Sequence, residues 1–172
     1  VDLDRFKAIN DNLGHVCGDQ VLIEAGRRIA ASLRPDDVVA RLGGDEVTVL
    51  IENAHCPIEV ERVAERIKDA LAVPIAVAGR EIVISASIGI AFNDRTSARG
   101  ADLVNAADVA MYHAKAAGRG NIRTFVPGLG ERARRQLDVE TALRAALDHD
   151  DLSLHYQPLV DLRTSRIVAL EA

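Results

Sequence analysis

Residues 38–42 and 47–51 are β-branched and aliphatic runs, and between them stands Gly43-Gly44-Asp45-Glu46. Glycines supply the positive φ values of a tight turn, so this segment predicts a β-hairpin with two carboxylates at its tip. Val1-Asp2-Leu3-Asp4 reads as the end of another buried strand. The chain around these strands must then supply a sheet and the helices that cover it.

Helical spacing supplies the cover. Phe6, Ile9 and Leu13 predict a helix over residues 5–13, stopped by Gly14. Leu22, Ala25, Ile29 and Leu33 form one stripe of a longer helix over 19–33, with Glu24, Arg27 and Arg28 on the wet face and Pro35 beyond its end. Val60, Val63, Ala64, Ile67 and Leu71 mark a third helix over 58–71. Strands follow over 74–77 and 81–92, separated by the Ala78-Gly79-Arg80 turn. Leu103, Ala107, Ala110 and Ala114 align along a fourth helix over 100–117, which Gly118 closes before a short strand over 122–125. Helices and strands that alternate over the first 125 residues indicate a layered α/β or α+β domain.

The glycine- and proline-rich stretch 126–130 ends that unit. A charged linker helix is expected over 131–148, with Val139, Leu143, Ala146 and Leu147 inward, and strands over 152–156 and 167–171. This tail is too short to bury a core alone and looks like the start of a second domain. The abrupt first strand predicts that further chain precedes Val1.

With 26 acidic against 21 basic residues, a formal charge of −5, and no block of consecutive Lys or Arg, the chain does not suit a nucleic-acid or anionic-membrane surface. The longest uncharged apolar-rich stretch, 82–93, is well short of the roughly 20 residues of a spanning helix. A soluble protein without membrane contact is expected. Cys17 and Cys56 lack metal-type spacing, which favours reduced thiols in a cytoplasm.

Asp2 and Asp4 at a strand end and Asp45 and Glu46 at a hairpin tip have a chemistry in common. Adjacent strands would make them a carboxylate cluster that repels itself unless a divalent cation neutralises it. Mg²⁺, with Mn²⁺ as a substitute, takes such hard oxygens together with water and substrate phosphates, which suits phosphoryl or nucleotidyl transfer. Asp4 has a plainer reading beside this one, as the N-terminal companion of the helix over 5–13.

Five blocks now carry a resemblance: Asp2-Leu3-Asp4-Arg5-Phe6-Lys7-Ala8-Ile9-Asn10-Asp11; Gly14-His15 with Gly18-Asp19; Arg41-Leu42-Gly43-Gly44-Asp45-Glu46; Ser87-Ile88-Gly89; and Tyr112-His113-Ala114-Lys115 with Gly118-Arg119. Together they resemble the GGDEF domain of the diguanylate cyclase family. That family implies an α+β sandwich similar to the nucleotidyl cyclases and polymerase palms, its central, mostly antiparallel sheet flanked by helices. The tail His155-Tyr156-Gln157-Pro158-Leu159-Val160-Asp161-Leu162, with Ala169-Leu170-Glu171-Ala172, resembles the opening of an EAL domain, the cyclic di-GMP phosphodiesterase family built on a TIM-like barrel. Domain bounds are then 1–126 for a GGDEF domain without its first helix and most of its first strand, 127–150 for the linker, and 151–172 for the EAL start. Glu171 would be that barrel's first metal ligand, and no phosphodiesterase activity is expected without the rest of its site.

The resemblance implies an enzyme that joins two GTP molecules into cyclic di-GMP, one GTP per domain, in a homodimer. By similarity, Asp2, Asp45 and the Leu3 carbonyl hold the metal, and Asn10 and Asp19 read the guanine edge. Gly43 and Gly44 let backbone approach the phosphates, where any Cβ would obstruct. Lys7, Lys115 and Arg119 neutralise the β- and γ-phosphates, and Glu46 assists the metal or the attacking hydroxyl. Arg34 and Asp37 match the family's inhibitory site for the cyclic di-GMP product. Val47 stands where the family has Phe, and strand alternation turns it away from the Glu46 face, as a packing residue. The alternative to catalysis is a regulatory module that binds GTP or cyclic di-GMP without turnover and controls an attached EAL domain.

Overall fold

The computed structural model describes residues 1–54, 56–93, 99–127, 139, 146–147 and 155–171. These fall into two compact units, Val1–Ala133 and Arg134–Ala172. In the first, β1 (Asp2–Leu3), β2 (Val38–Gly43), β3 (Glu46–Leu50), β6 (Ala86–Ile90) and β7 (Ile122–Thr124) form one sheet in the order β2-β3-β1-β6-β7. Only the β6–β7 pair in it is parallel. A separate ribbon joins β4 (Ile75–Val77) to β5 (Arg80–Ile82) through Ala78 and Gly79, both at positive φ as a two-residue hairpin requires. The helices are α1 (Phe6–Leu13), α2 (His15–Ala31), α3 (Pro57–Ala72) and α4 (Gly100–Ala116). The fold is the expected α+β class, a central sheet flanked by helices.

The core explains the layers. Val21, Ala25 and Ile29 of α2 and Val63, Ile67 and Leu71 of α3 are buried with Leu3, Val47, Ala86, Ile88 and Ile90 of the sheet. Gly89, between Ile88 and Ile90, turns to the other side, where a Cβ would lie 2.0 Å from the Ala107 carbonyl oxygen of α4. Strand alternation thus packs α2 and α3 through one face and α4 through the other.

Helices α2 and α3 also cap each other. The Arg28 guanidinium donates from Nη1 to the Ala70 oxygen at 3.0 Å and to the Val73 oxygen, and from Nη2 to the Pro74 oxygen at 3.0 Å. Arg66 returns the favour, its Nε and Nη2 donating to the Ser32 oxygen at 2.9 and 2.6 Å. Each guanidinium therefore satisfies carbonyls that a helix end leaves open. Arg28→Ala is expected to lower stability by about 2 kcal/mol, seen as a lower urea midpoint, and Arg28→Lys to restore little of it, because an ammonium has no fork for three carbonyls.

Some predicted boundaries move. Helix α2 starts at His15 and not at residue 19, because Gly14, at φ 82°, breaks the chain for one residue only and Gly18 lies inside the next helix. The run 81–92 is two strands with different partners: β5 pairs with β4, and β6 pairs with β1. Glu46 is not at the hairpin tip but is the first residue of β3, leaving Gly44 and Asp45 in the turn.

In the second unit, β8 (Gln157–Asp161) pairs with β9 (Arg166–Glu171). The strand expected over 152–156 is not found at His155 and Tyr156, and 152–154 lie outside the described residues. Pro158 disguises the true strand, since proline fits only an edge or an irregularity. Its turn is built by Asp161, whose Oδ1 accepts from the Arg163 and Thr164 backbone N–H groups at 2.7 and 3.0 Å. Of the helix expected over 131–148, only Val139, Ala146 and Leu147 are described; they are helical, with Val139 and Leu147 exposed and not inward. Among the described residues, no helix is long and apolar enough to cross a membrane.

Candidate active site

The site grows from the end of β1. Backbone pairing ties this short strand to β3: Val47 N–H donates to the Val1 oxygen at 2.8 Å and Leu3 N–H to the Asp45 oxygen at 3.3 Å. Asp2 is therefore directly opposite Glu46, and cross-strand partners share a face. On its other side Asp2 is opposite Ser87 of β6. The hairpin is held in shape by a positive φ at Gly44 (51°), an irregular register between Arg41 and Gly43, and a hydrogen bond from Arg41 Nε to the Gly44 oxygen at 2.9 Å. Asp45 thus stands half-buried at the tip beside β1. Val47 is buried in the core while Glu46 is exposed, the alternation expected of this strand.

Asp2 is buried, and Lys115, near the end of α4, donates from Nζ to its Oδ2 at 2.6 Å. Burial pushes the Asp2 carboxyl above its ordinary value; Lys115 pulls the other way, and the charges of Asp45 and Asp4 add to the rise. This is the behaviour of a carboxylate withdrawn from water, with Lys115 as its neutraliser. Two carboxylates and the neighbouring Leu3 carbonyl are hard oxygen donors, a set that fits a magnesium-type ion able to take its other ligands from water and phosphate. Among the described residues, no group of three or more His, Cys, Asp or Glu converges to hold a metal by side chains alone.

Helices α1 and α2 meet through Gly14, whose N–H donates to the Asn10 oxygen at 2.9 Å. Asn10 is half-buried, and its side-chain Oδ1 is buried without a hydrogen-bond partner. Gly18 leaves the space for it: a Cβ there would lie 1.8 Å from that oxygen. Asp19 is the next residue, exposed on α2, and Lys7 is exposed on α1. Arg119 follows α4 at φ 62°, in a turn that also lines a cavity of about 680 Å³ with Arg5, Asn12 and Ser85.

Arg34 and Asp37 lie in the turn after α2. Arg34 N–H donates to Asp37 Oδ2 at 2.9 Å, and the Arg34 guanidinium meets Glu59 at 2.5 Å.

Asp4 corrects one expectation. Helix α1 begins after Arg5, at φ 59°, with no side-chain cap. The Asp4 carboxylate instead accepts from Ser87 Oγ at 2.7 Å, Ser85 Oγ at 2.7 Å and Gly120 N–H at 2.9 Å. The Asp-x-Asp spacing was the available signal, because period-two alternation sends both side chains to one side of a strand.

Comparisons with known proteins show the family and the fold. The family model described as "Diguanylate cyclase, GGDEF domain" matches residues 1–121. The bifunctional diguanylate cyclase/cyclic di-GMP phosphodiesterase MucR of Pseudomonas aeruginosa is 42% identical over 172 residues, all of this chain and 25% of MucR. The chain thus spans about a quarter of the length of such curated relatives. The solved GGDEF domain of YfiN (TpbB) from the same species superposes with a TM-score of 0.75 at 40% identity, covering 77% of this chain and 78% of that one. The GGDEF domain of DgcB from Caulobacter crescentus, solved in complex with c-di-GMP, gives a TM-score of 0.67 at 27% identity, covering 72% of this chain and 73% of that one.

Proposed function

Because the chain belongs to the GGDEF-domain family of diguanylate cyclases, we propose that it condenses two GTP molecules into cyclic di-GMP with release of two pyrophosphates. The observation that carries this reading is the buried Asp2 carboxylate on the central strand, opposite Glu46 in register, next to the hairpin tip that holds Asp45, and paired with Lys115. Asp2, Asp45 and the Leu3 carbonyl would hold Mg²⁺ or Mn²⁺, which supplies charge neutralisation at the reacting α-phosphate. Lys7, Lys115 and Arg119 serve the β- and γ-phosphates, so Lys115 exchanges Asp2 for phosphate oxygens when nucleotide binds. Glu46, across from Asp2 and exposed, faces the attacking 3′-hydroxyl. Gly43 and Gly44 leave room for the phosphates at the hairpin.

Guanine recognition falls to Asn10 and Asp19. The unpartnered Asn10 Oδ1 is an acceptor in need of an N–H donor, which the guanine edge offers and adenine's does not offer in the same place. Gly18→Ala, which drives a Cβ into that oxygen, is expected to weaken GTP binding by about tenfold or more in titration calorimetry, a loss equivalent to one charge-assisted or two neutral hydrogen bonds.

Each domain holds one GTP, so turnover requires two copies face to face, and a rate that rises with the square of protein concentration is expected below the dimer's Kd. Arg34 and Asp37 form the inhibitory site for cyclic di-GMP, and a cytoplasmic location supplies the substrate. Residues 151–172 are the start of an EAL domain in this reading. The test is product analysis after incubation with GTP and Mg²⁺. Cyclic di-GMP and pyrophosphate support catalysis; GTP bound but unchanged supports the regulatory module instead.

A further inference from the structure

The Asp4 carboxylate spends all its visible bonding on segments more than 80 residues away. Its Oδ1 takes the Ser87 hydroxyl of β6, and its Oδ2 takes the Ser85 hydroxyl and the Gly120 backbone N–H. A carboxylate as buried as this one needs such donors, and one of them is a backbone N–H in an irregular turn. Asn121 Nδ2 donates across that turn to the Ala117 oxygen at 3.2 Å, and the Asn121 oxygen accepts from Ile88 N–H at 2.9 Å. Gly118, Arg119 and Gly120 follow one another at φ 114°, 62° and 60°, and the middle residue carries a side chain that disfavours this region. At its start, Gly118 and Arg119 N–H groups donate to the Lys115 oxygen, each at 3.2 Å. At its end stands the Asp4 bond.

We propose that Asp4 is a positioning residue for the triphosphate end of the nucleotide: it pins the Gly118-Arg119-Gly120 turn so that Arg119 is presented from a fixed backbone beside Lys115. The proposal rests on the reading of Lys115 and Arg119 as phosphate cations. Asp2 and Asp4, two residues apart, then divide the work. Asp2 meets the Lys115 ammonium directly, while Asp4 sets the turn four residues further on. A fixed guanidinium retains its fork geometry for bidentate phosphate contact, which a mobile one must recover on binding.

The test uses Asp4→Asn in the full chain, with titration of a non-hydrolysable GTP analogue and of GMP in the presence of Mg²⁺. The variant places an NH₂ donor where one acceptor oxygen stood. Binding of the triphosphate is expected to weaken about tenfold, while GMP, lacking β- and γ-phosphates, stays within about twofold. Equal binding of both ligands to variant and wild type overturns the proposal, as does equal loss of both, which marks a merely structural residue. If the wild-type chain binds GMP and the analogue alike, the phosphate-cation reading itself fails, and this role with it. Amide exchange in the wild-type chain gives a second reading that needs no variant. Gly120 N–H is expected to exchange slowly, and exchange at the rate of an open loop contradicts the pin.

Discussion

Asp45→Ala is expected to lower cyclic di-GMP formation by about 10³-fold while leaving the fold in place, because it removes charge at the reacting centre and little packing. The backbone that shapes the tip survives the change. Leu3 N–H still donates to the residue-45 oxygen, Arg41 Nε still holds the Gly44 oxygen, and Val47 stays buried below. A melting temperature within about a degree or two of wild type is therefore part of the prediction, since surface changes away from packing stay within ±0.5 kcal/mol. Residual GTP affinity through Asn10, Asp19 and Arg119 is expected as well. A folded variant that retains wild-type product formation would remove Asp45 from the chemistry.

Gly89→Ala is expected to act by the opposite route, through the fold and only then the site. The new Cβ would stand 2.0 Å from the Ala107 oxygen, 2.5 Å from the Met111 nitrogen and 2.9 Å from the Met111 Cβ. The first two are helix backbone, which cannot swing aside as a side-chain tip can. Relief requires α4 to lift from β6, with a loss on the order of 3 kcal/mol or more, at the upper end of overpacking effects. Because α4 carries Lys115 into contact with Asp2, GTP binding is expected to fall with stability. Gly26→Ala is the matching control: it lies in α2 with open space around its Cβ position, and a gain of about 0.5–1 kcal/mol is expected. Urea unfolding of the two variants checks both signs.

The parts of the fold with strong periodicity were readable in the amino-acid order. The α3 stripe Val63, Ala64, Ile67 and Leu71 is the buried stripe of the structure, and the β-branched runs around Gly43-Gly44 are the paired strands β2 and β3. What escaped was information that lies in partners. Nothing local to residues 81–92 says that the first part pairs with β4 and the last with β1. Gly14 stops a helix by its conformation, but the restart at His15 depends on α1 packing against α2.

The site shows the same division. Asp2, Asp45 and Glu46 were recognisable as carboxylates of a strand end and a neighbouring hairpin, and their proximity in the sheet follows from hairpin geometry. Their register does not, and it is the register that puts Glu46, not Asp45, directly opposite Asp2. Lys115 on Asp2 spans 113 positions in the chain, and the Asp4 network spans 81 to 116, distances over which spacing carries no signal. Gly18 looked like part of a loop, and its purpose emerges only when Asn10 Oδ1 is found against it.

The most direct single measurement is a crystal structure of the chain with a non-hydrolysable GTP analogue and Mn²⁺, with the metal located by its anomalous scattering. The expected result is a manganese ion among the Asp2 carboxylate, the Leu3 carbonyl and Asp45, with Lys115 moved from Asp2 to the phosphates and the Asn10 oxygen accepting from guanine. Nucleotide bound elsewhere, or Lys115 still paired with Asp2 and no metal at Asp2 and Asp45, would contradict a GTP-condensing centre at this site.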